Sequence, residues 1–169
     1  MNENHANEQD LKSVFTTNLP GILQQLNISI AVSTYQCGKL ILVRRDNQGI
    51  NTHFRNFNRP MGVAVKPDRI SIGCLKTVEN YQNIPALIGR LDDPAKYDAC
   101  YVPRYTIDTG SVDIHEMAWG ENNTLWMVNT RFSCLHHGHG IQLLPAMAAI
   151  VCDGACAGRS LSLKRSRDG

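Results

Sequence analysis

The pattern of hydrophobic and polar positions predicts a short helix followed by a series of β-strands. Asn18 is a candidate N-cap and Pro20 suits the first helical turn, and one face of this helix would carry Ile22, Leu23 and Leu26. The helix is expected to end near Asn27. Beyond it, residues 28–35 and 39–44 have strand character and are separated by a turn at 36–38, and residues 51–57 alternate between polar and apolar side chains.

Two later hairpins resemble each other and predict an architecture of repeated units. The first covers residues 61–73 with a turn at 66–68, the second covers 116–128 with a turn at 120–123, and residues 30–43 are a weaker third copy. The uneven spacing predicts an insertion at 84–110, a proline-bearing segment in which Arg104 and Tyr105 belong either to a binding loop or to a packed insertion. Such hairpins are typical of propeller blades, and a β-sandwich is the alternative. The predicted fold class is all-β, an incomplete β-propeller-like domain of about two to three blades.

Composition and charge argue against some classes of partner. The chain has 169 residues, which suits one domain, with 17 basic and 15 acidic side chains. Four basic and two acidic residues follow residue 135, so the body of the chain carries no net charge, and we expect no nucleic-acid partner. The first ten residues are polar and acidic, and the longest apolar run, 143–152, is short for a membrane span. We therefore expect a cytoplasmic protein without a membrane partner, whose cysteines at 37, 74, 100 and 134 are buried free thiols.

Five stretches of the chain carry a family resemblance. They are STYQCGKL at 33–40, NTHFR at 51–55, RPMGVA at 59–64, DIHEMAW at 113–119 and VNTRFSCL at 128–135. Across residues 28–135 the chain resembles a bacterial family of conserved hypothetical proteins that look like β-propellers. The resemblance implies a propeller-like fold in a chain that holds only part of the ring. It implies no activity, so function has to be argued from the site itself.

Asp113, His115 and Glu116 are the first candidates for catalysis, because a His beside two carboxylates can bind a metal or relay protons near neutral pH. On a regular strand, Asp113 and His115 would share one face and Glu116 would lie on the other, which would let Asp113 orient the imidazole. The alternative is a structural role, in which the His and a carboxylate form a hydrogen bond at the entry of the strand.

A second group of candidates consists of polar residues predicted near strand ends, where propellers place their binding loops: His53, Arg55, Arg59, Asn129 and Arg131. The three arginines could clamp an anionic ligand, and the alternative is that they form ion pairs on the surface. No metal site and no cofactor is predicted. The tail imitates a zinc site with His136, His137, His139, Cys152 and Cys156, but this spacing fits no standard finger.

The chain changes character at residue 136. Every Phe, Tyr and Trp lies before that position, and the tail is rich in Ala, Gly, Leu and Ser with a basic end. In a reading frame shifted by one base, the codons of Met147 and Ala148 yield TGG, a Trp codon, and the shifted frame permits an aromatic-bearing continuation. We therefore expect three regions: a disordered N-terminus at 1–10, a partial β-propeller-like domain at 11–135, and a frameshifted, poorly ordered tail at 136–169.

Two classes of function follow from these residues. The first is a truncated, propeller-type binding module whose ligand is an unknown small molecule or a protein recognised through the loops. The alternative is a propeller hydrolase or lyase that uses His115 with Asp113 or Glu116, with or without the help of a metal.

Overall fold

The computed structural model describes residues 13–46, 49–92, 94, 97–139 and 142–149, and of residues 139 and 142–149 it describes the backbone alone. A helix, α1 (Leu19–Leu26), precedes three antiparallel sheets, whose strands follow one another in chain order. Sheet A consists of β1 (Ile30–Thr34), β2 (Lys39–Asp46) and β3 (Gly49–Asn56). Sheet B consists of β4 (Val63–Lys66), β5 (Arg69–Gly73), β6 (Thr77–Asn83) and β7 (Tyr101–Asp108). Sheet C consists of β8 (Ile114–Trp119), β9 (Thr124–Asn129), β10 (Cys134–His139) and β11 (Gln142–Ala149).

The predicted all-β class is confirmed, and each predicted hairpin is present. The hairpins are β1–β2, β4–β5 and β8–β9, and the strands pair in antiparallel register. The first turn requires its glycine, because Gly38 has a φ of +61° and a Cβ there would lie 2.9 Å from the carbonyl oxygen of Phe57. Local turn chemistry and the alternation of side chains therefore explain where the chain reverses direction.

Helix α1 starts and ends where predicted, but the capping role of Asn18 and the apolar face differ from expectation. Asn27 terminates it in the left-handed conformation, whereas the side chain of Asn18 makes no capping hydrogen bond. Leu23 is buried, while Ile22 and Leu26 stay exposed. Only a narrow stripe of the helix thus packs against the sheet.

Sheet B is the middle layer, with a hydrophobic cluster on each of its two faces. The cluster shared with sheet C contains Ala64, Val78, Ile107, Ile114, Met117, Leu125 and Met127. The cluster shared with sheet A is smaller and is centred on Leu40, Ile72 and Cys74. Of the four cysteines described here, all are free thiols and Cys74 alone is fully buried, so the expectation of burial holds for one of them.

The predicted insertion at 84–110 is in part a regular strand. Its first half contains a 3₁₀ helix at Pro85–Arg90, and its second half is β7, the outer strand of sheet B. Pro103 lies within β7 opposite Tyr81, next to a shift in register. An edge strand tolerates proline because the N–H that proline lacks is not needed for a ladder on the outer side. The prolines of this segment therefore predicted an insertion where part of the chain forms strand β7.

The segment after Leu135 continues the sheet. Strand β10 runs from Cys134 to His139 and pairs with β9 along its whole length, and β11 pairs with β10. The sequence indicates no strand period here, so this pairing is a difference from expectation, and backbone hydrogen bonds to β9 account for it. The expected disordered segment at 1–10 and residues 150–169 lie outside the described residues.

No helix among the described residues is long and apolar enough to cross a membrane.

Candidate functional site

His115 is the extra residue of a β-bulge. Ile114 pairs with Asn129 and Glu116 pairs with Val128, so β8 advances two residues where β9 advances one. The bulge turns His115 and Glu116 to the same exposed face, with 55% and 75% of their side chains accessible to solvent. The strand alternation that we predicted for these residues is therefore wrong at this point. The imidazole Nδ1 lies 3.7 Å from a carboxylate oxygen of Glu116, which is too long for a hydrogen bond.

Asp113 precedes the strand and has a structural role in the turn. Its φ is +50°, and its backbone carbonyl accepts hydrogen bonds from the amide and the hydroxyl of Thr130. Among the described residues, no contact joins its carboxylate to His115. No group of three or more His, Cys, Asp or Glu side chains in this part of the chain is arranged to hold a metal ion.

The arginines of the second group face separate partners. The guanidinium of Arg59 lies over the ring of Tyr35, 5.6 Å from its centroid, and that of Arg131 donates to the hydroxyl of Ser111. Arg55 lies on β3 opposite the buried Leu40, so its side chain shares the face that packs on sheet B. The described contacts do not bring the three arginines together as a clamp.

Asn129 is buried, and both ends of its side-chain amide contact neighbouring residues. Its carbonyl oxygen accepts the amide of Phe132, and its side-chain nitrogen contacts His136 Nε2 at 3.2 Å. It lines a cavity of only about 20 Å³, which has room for a single water. Asn129 therefore holds the β9–β10 turn and is not available to a ligand. His53 is exposed on β3, on the same face as Arg55.

A larger groove, of about 190 Å³, lies where β6 pairs with β7. It is lined by Glu79, Asn80, Tyr81, Pro103, Arg104, Tyr105 and Thr106. Asn80 pairs with Tyr105 and Tyr81 pairs with Pro103, so Arg104 is the extra residue of a second bulge. Bulges redirect side chains and are frequent beside functional sites. We call this feature the β6–β7 groove.

The β6–β7 groove contains one acidic and one basic side chain that do not neutralise each other. Glu79 is half-buried and Arg104 is exposed, and within the described part of the chain neither forms an ion pair. The thiol of Cys74 is a polar neighbour of Glu79, with 3.9 Å between Sγ and Oε1. A partly buried carboxylate that has no cationic partner has lost part of its hydration, and a bound cation would stabilise it.

The titratable groups beside Glu79 are held in their neutral forms. Burial, and then the charge of Glu79, raise the pKa of Tyr81, while the charge of Arg55 opposes them. Burial and the same carboxylate raise the pKa of the Cys74 thiol to about 12. A thiol with such a pKa is protonated at pH 7 and is not a nucleophile. The groove thus offers fixed charges and neutral hydrogen-bonding groups, which suits binding better than covalent chemistry.

The groove was visible only in part from the sequence. The sequence indicates Arg104 and Tyr105 as candidates for a binding loop, and the structure places them on strand β7. Glu79 and Tyr81 carried no signal, because nothing in an alternating strand shows which positions will face a bulge in the neighbouring strand.

These features define an all-β protein made of consecutive antiparallel sheets, with its candidate site on the last two strands of the middle sheet. Residues 17–140 match the model of a family described as a domain of unknown function (DUF4915), and the chain belongs to this family. The match extends past Leu135, the last residue of the predicted resemblance. No curated protein and no solved structure is detectably similar to the chain.

Proposed function

We propose that the chain is a propeller-type binding module that takes a small zwitterionic ligand into the β6–β7 groove. One observation carries this proposal: the unpaired carboxylate of Glu79 and the unpaired guanidinium of Arg104 line the same groove. A ligand with an ammonium and a carboxylate group would satisfy both charges at once. The free thiols are compatible with a cytoplasmic protein.

The size of the groove supports a small ligand. A space of about 190 Å³ is below the usual range for sites that enclose drug-sized molecules. Tyr81 and Pro103 share the face toward sheet A and add apolar surface beside the charges. A free amino acid combines the required charges with a small body, and we take it as the chemical class of the ligand.

The test is a calorimetric titration of the purified chain with glycine, serine, glutamate and lysine. Acetate and methylammonium, which carry one charge each, are the single-charge probes. At least one amino acid should bind saturably, and both single-charge probes should bind more weakly, because each satisfies only one of the two groups.

Charge removal at the groove provides the matched comparison. Glu79→Gln and Arg104→Gln should each weaken binding about tenfold or more, as expected for loss of a hydrogen bond to a charged group. Glu121→Gln and Arg90→Gln change the same residue types at exposed positions outside the groove and should leave the affinity unchanged. Equal losses in the control variants would contradict the proposed site.

The alternative, a hydrolase or lyase that uses His115, receives less support. Its imidazole and the Glu116 carboxylate lie side by side on an open face without a hydrogen bond, and neither residue lines either of the two cavities described above. Catalysis by a proton relay requires hydrogen-bonding distances and a place for substrate. Metal analysis of the purified protein, with His115→Ala as the control, tests the metal-assisted version.

A further inference from the structure

Among the described residues, sheet A has one strand fewer than the other two sheets, and no strand pairs with the outer edge of β1. Strand β1 is followed by a turn at residues 35–38 that ends at Gly38, and β9 is followed by a turn at 130–133 that ends at Ser133. Both final residues have positive φ, +61° and +49°, and each turn is four residues long. By this comparison β1 corresponds to β9, so the described part of sheet A contains no counterpart of β8.

The side chains along this edge are apolar and exposed. Ile30 and Val32 alternate along β1 and therefore lie on one face, and both are among the large exposed hydrophobic residues, as is Ile28 just before the strand. Strand β1 contains no charged residue. Natural proteins usually protect an open sheet edge with charges, prolines or bulges, and β1 has none of these.

The sheets of the chain itself indicate what fits this edge. In sheet B the first position, which has no strand in the described part of sheet A, is held by β4. Strand β4 begins Val63-Ala64-Val65, and β1 begins with the similar sequence Ile30-Ala31-Val32. A second β1 therefore offers nearly the same short apolar sequence that β4 contributes. We propose that two copies of the chain pair through β1, antiparallel about a two-fold axis near Val32, to form a continuous six-stranded sheet.

Pairing of two β1 strands is compatible with two-fold symmetry and brings no like charges together. A two-fold interface brings the same patch of both copies together, and two identical strands related by such an axis are antiparallel. With Val32 opposite its own copy, Ile30 faces Thr34, and no like charges meet. The unpaired backbone groups of β1 gain hydrogen bonds, and the exposed Val32 side chains become neighbours.

The test is the molar mass of the full chain in solution, measured by light scattering after size-exclusion chromatography over a series of concentrations. The wild-type chain should form a dimer. Val32→Lys places two ammonium groups opposite each other at the axis and should raise the dimer dissociation constant at least tenfold. The matched control is Val65→Lys, at an exposed position of the corresponding Val-Ala-Val sequence in β4, and it should remain dimeric.

A charge-pairing experiment separates loss of the interface from loss of the fold. Val32→Glu alone should likewise raise the dimer dissociation constant at least tenfold, and mixing it with Val32→Lys should restore the dimer, because opposite charges then meet at the axis. A monomeric wild-type chain, an open-ended assembly, an equal effect of Val65→Lys, or failure of the mixture to dimerise would overturn the proposal.

Discussion

Adding one methyl group at Gly73 measures how closely strands β5 and β8 pack. A Cβ at this position would lie 2.8 Å from Cγ2 and 3.1 Å from Cβ of Ile114, and 3.2 Å from Sδ of Met117. Favourable carbon contacts begin at about 3.5 Å, so the methyl group overlaps Ile114. Ile114 is 2% exposed and belongs to the core between sheets B and C, so it has little room to move.

The expected cost follows from two opposing effects. Overpacking of a core destabilises the folded state by about 1–3 kcal/mol. Replacing glycine by alanine also reduces the conformational freedom of the unfolded chain, which stabilises the folded state by about 0.4–1 kcal/mol. Gly73→Ala should therefore lower the free energy of unfolding by about 1–2 kcal/mol, measured by urea denaturation followed by circular dichroism. Gly89→Ala is the control, because a Cβ at Gly89 meets no atom within 4 Å, and it should raise the free energy of unfolding by about 0.4–1 kcal/mol.

A double-mutant cycle tests the assigned contact. Ile114→Ala removes Cγ2 and should cost about 2–5 kcal/mol by itself, because it leaves a cavity. In that background Gly73→Ala should cost less, since its methyl group enters the space that Ile114 vacates. A neutral Gly73→Ala, or strict additivity of the two substitutions, would refute the described packing of β5 against β8.

Three further predictions concern single residues and the tail. Alkylation at pH 8, followed by peptide mass spectrometry, should label the exposed Cys37 quickly and the buried Cys74 only after unfolding. The reason is that burial raises the pKa of the Cys74 thiol to about 12, and rapid labelling of Cys74 in the native protein would contradict this. His115→Ala should change the free energy of unfolding by less than about 0.5 kcal/mol in the same urea assay, since the side chain is exposed, and a large loss would reinstate the structural role. Sequencing the gene beyond residue 169 tests the proposed frameshift: the shifted frame should stay open, and closure within a few codons would refute it.

The sequence predicts the strands well because their signals are local. Alternation of apolar and polar side chains and the turn at Gly38 identify strands and hairpins without knowledge of the partners. Strand β7 was missed because Pro103 normally argues against a strand, and its position at an edge, which permits proline, depends on the order of strands in the sheet.

The surroundings of the candidate site residues are less predictable, because they depend on two bulges, one at His115 and one at Arg104. A bulge arises from the count of residues between paired positions on two strands, and one strand alone does not contain this information. At His115 the bulge cancelled the expected alternation, and at Arg104 it produced a groove that the sequence does not indicate. Asn129 was placed correctly near a strand end, but its burial depends on packing from β10.

The most direct test of the binding proposal is a titration of the ¹⁵N-labelled chain with the amino acid that binds most tightly, followed by two-dimensional NMR. We expect saturable shifts concentrated in the amide signals of residues 79–82 and 104–106, which line or adjoin the β6–β7 groove, and we expect Glu79→Gln to abolish them. Absence of saturable shifts, or shifts centred on the His115 face of sheet C, would contradict it.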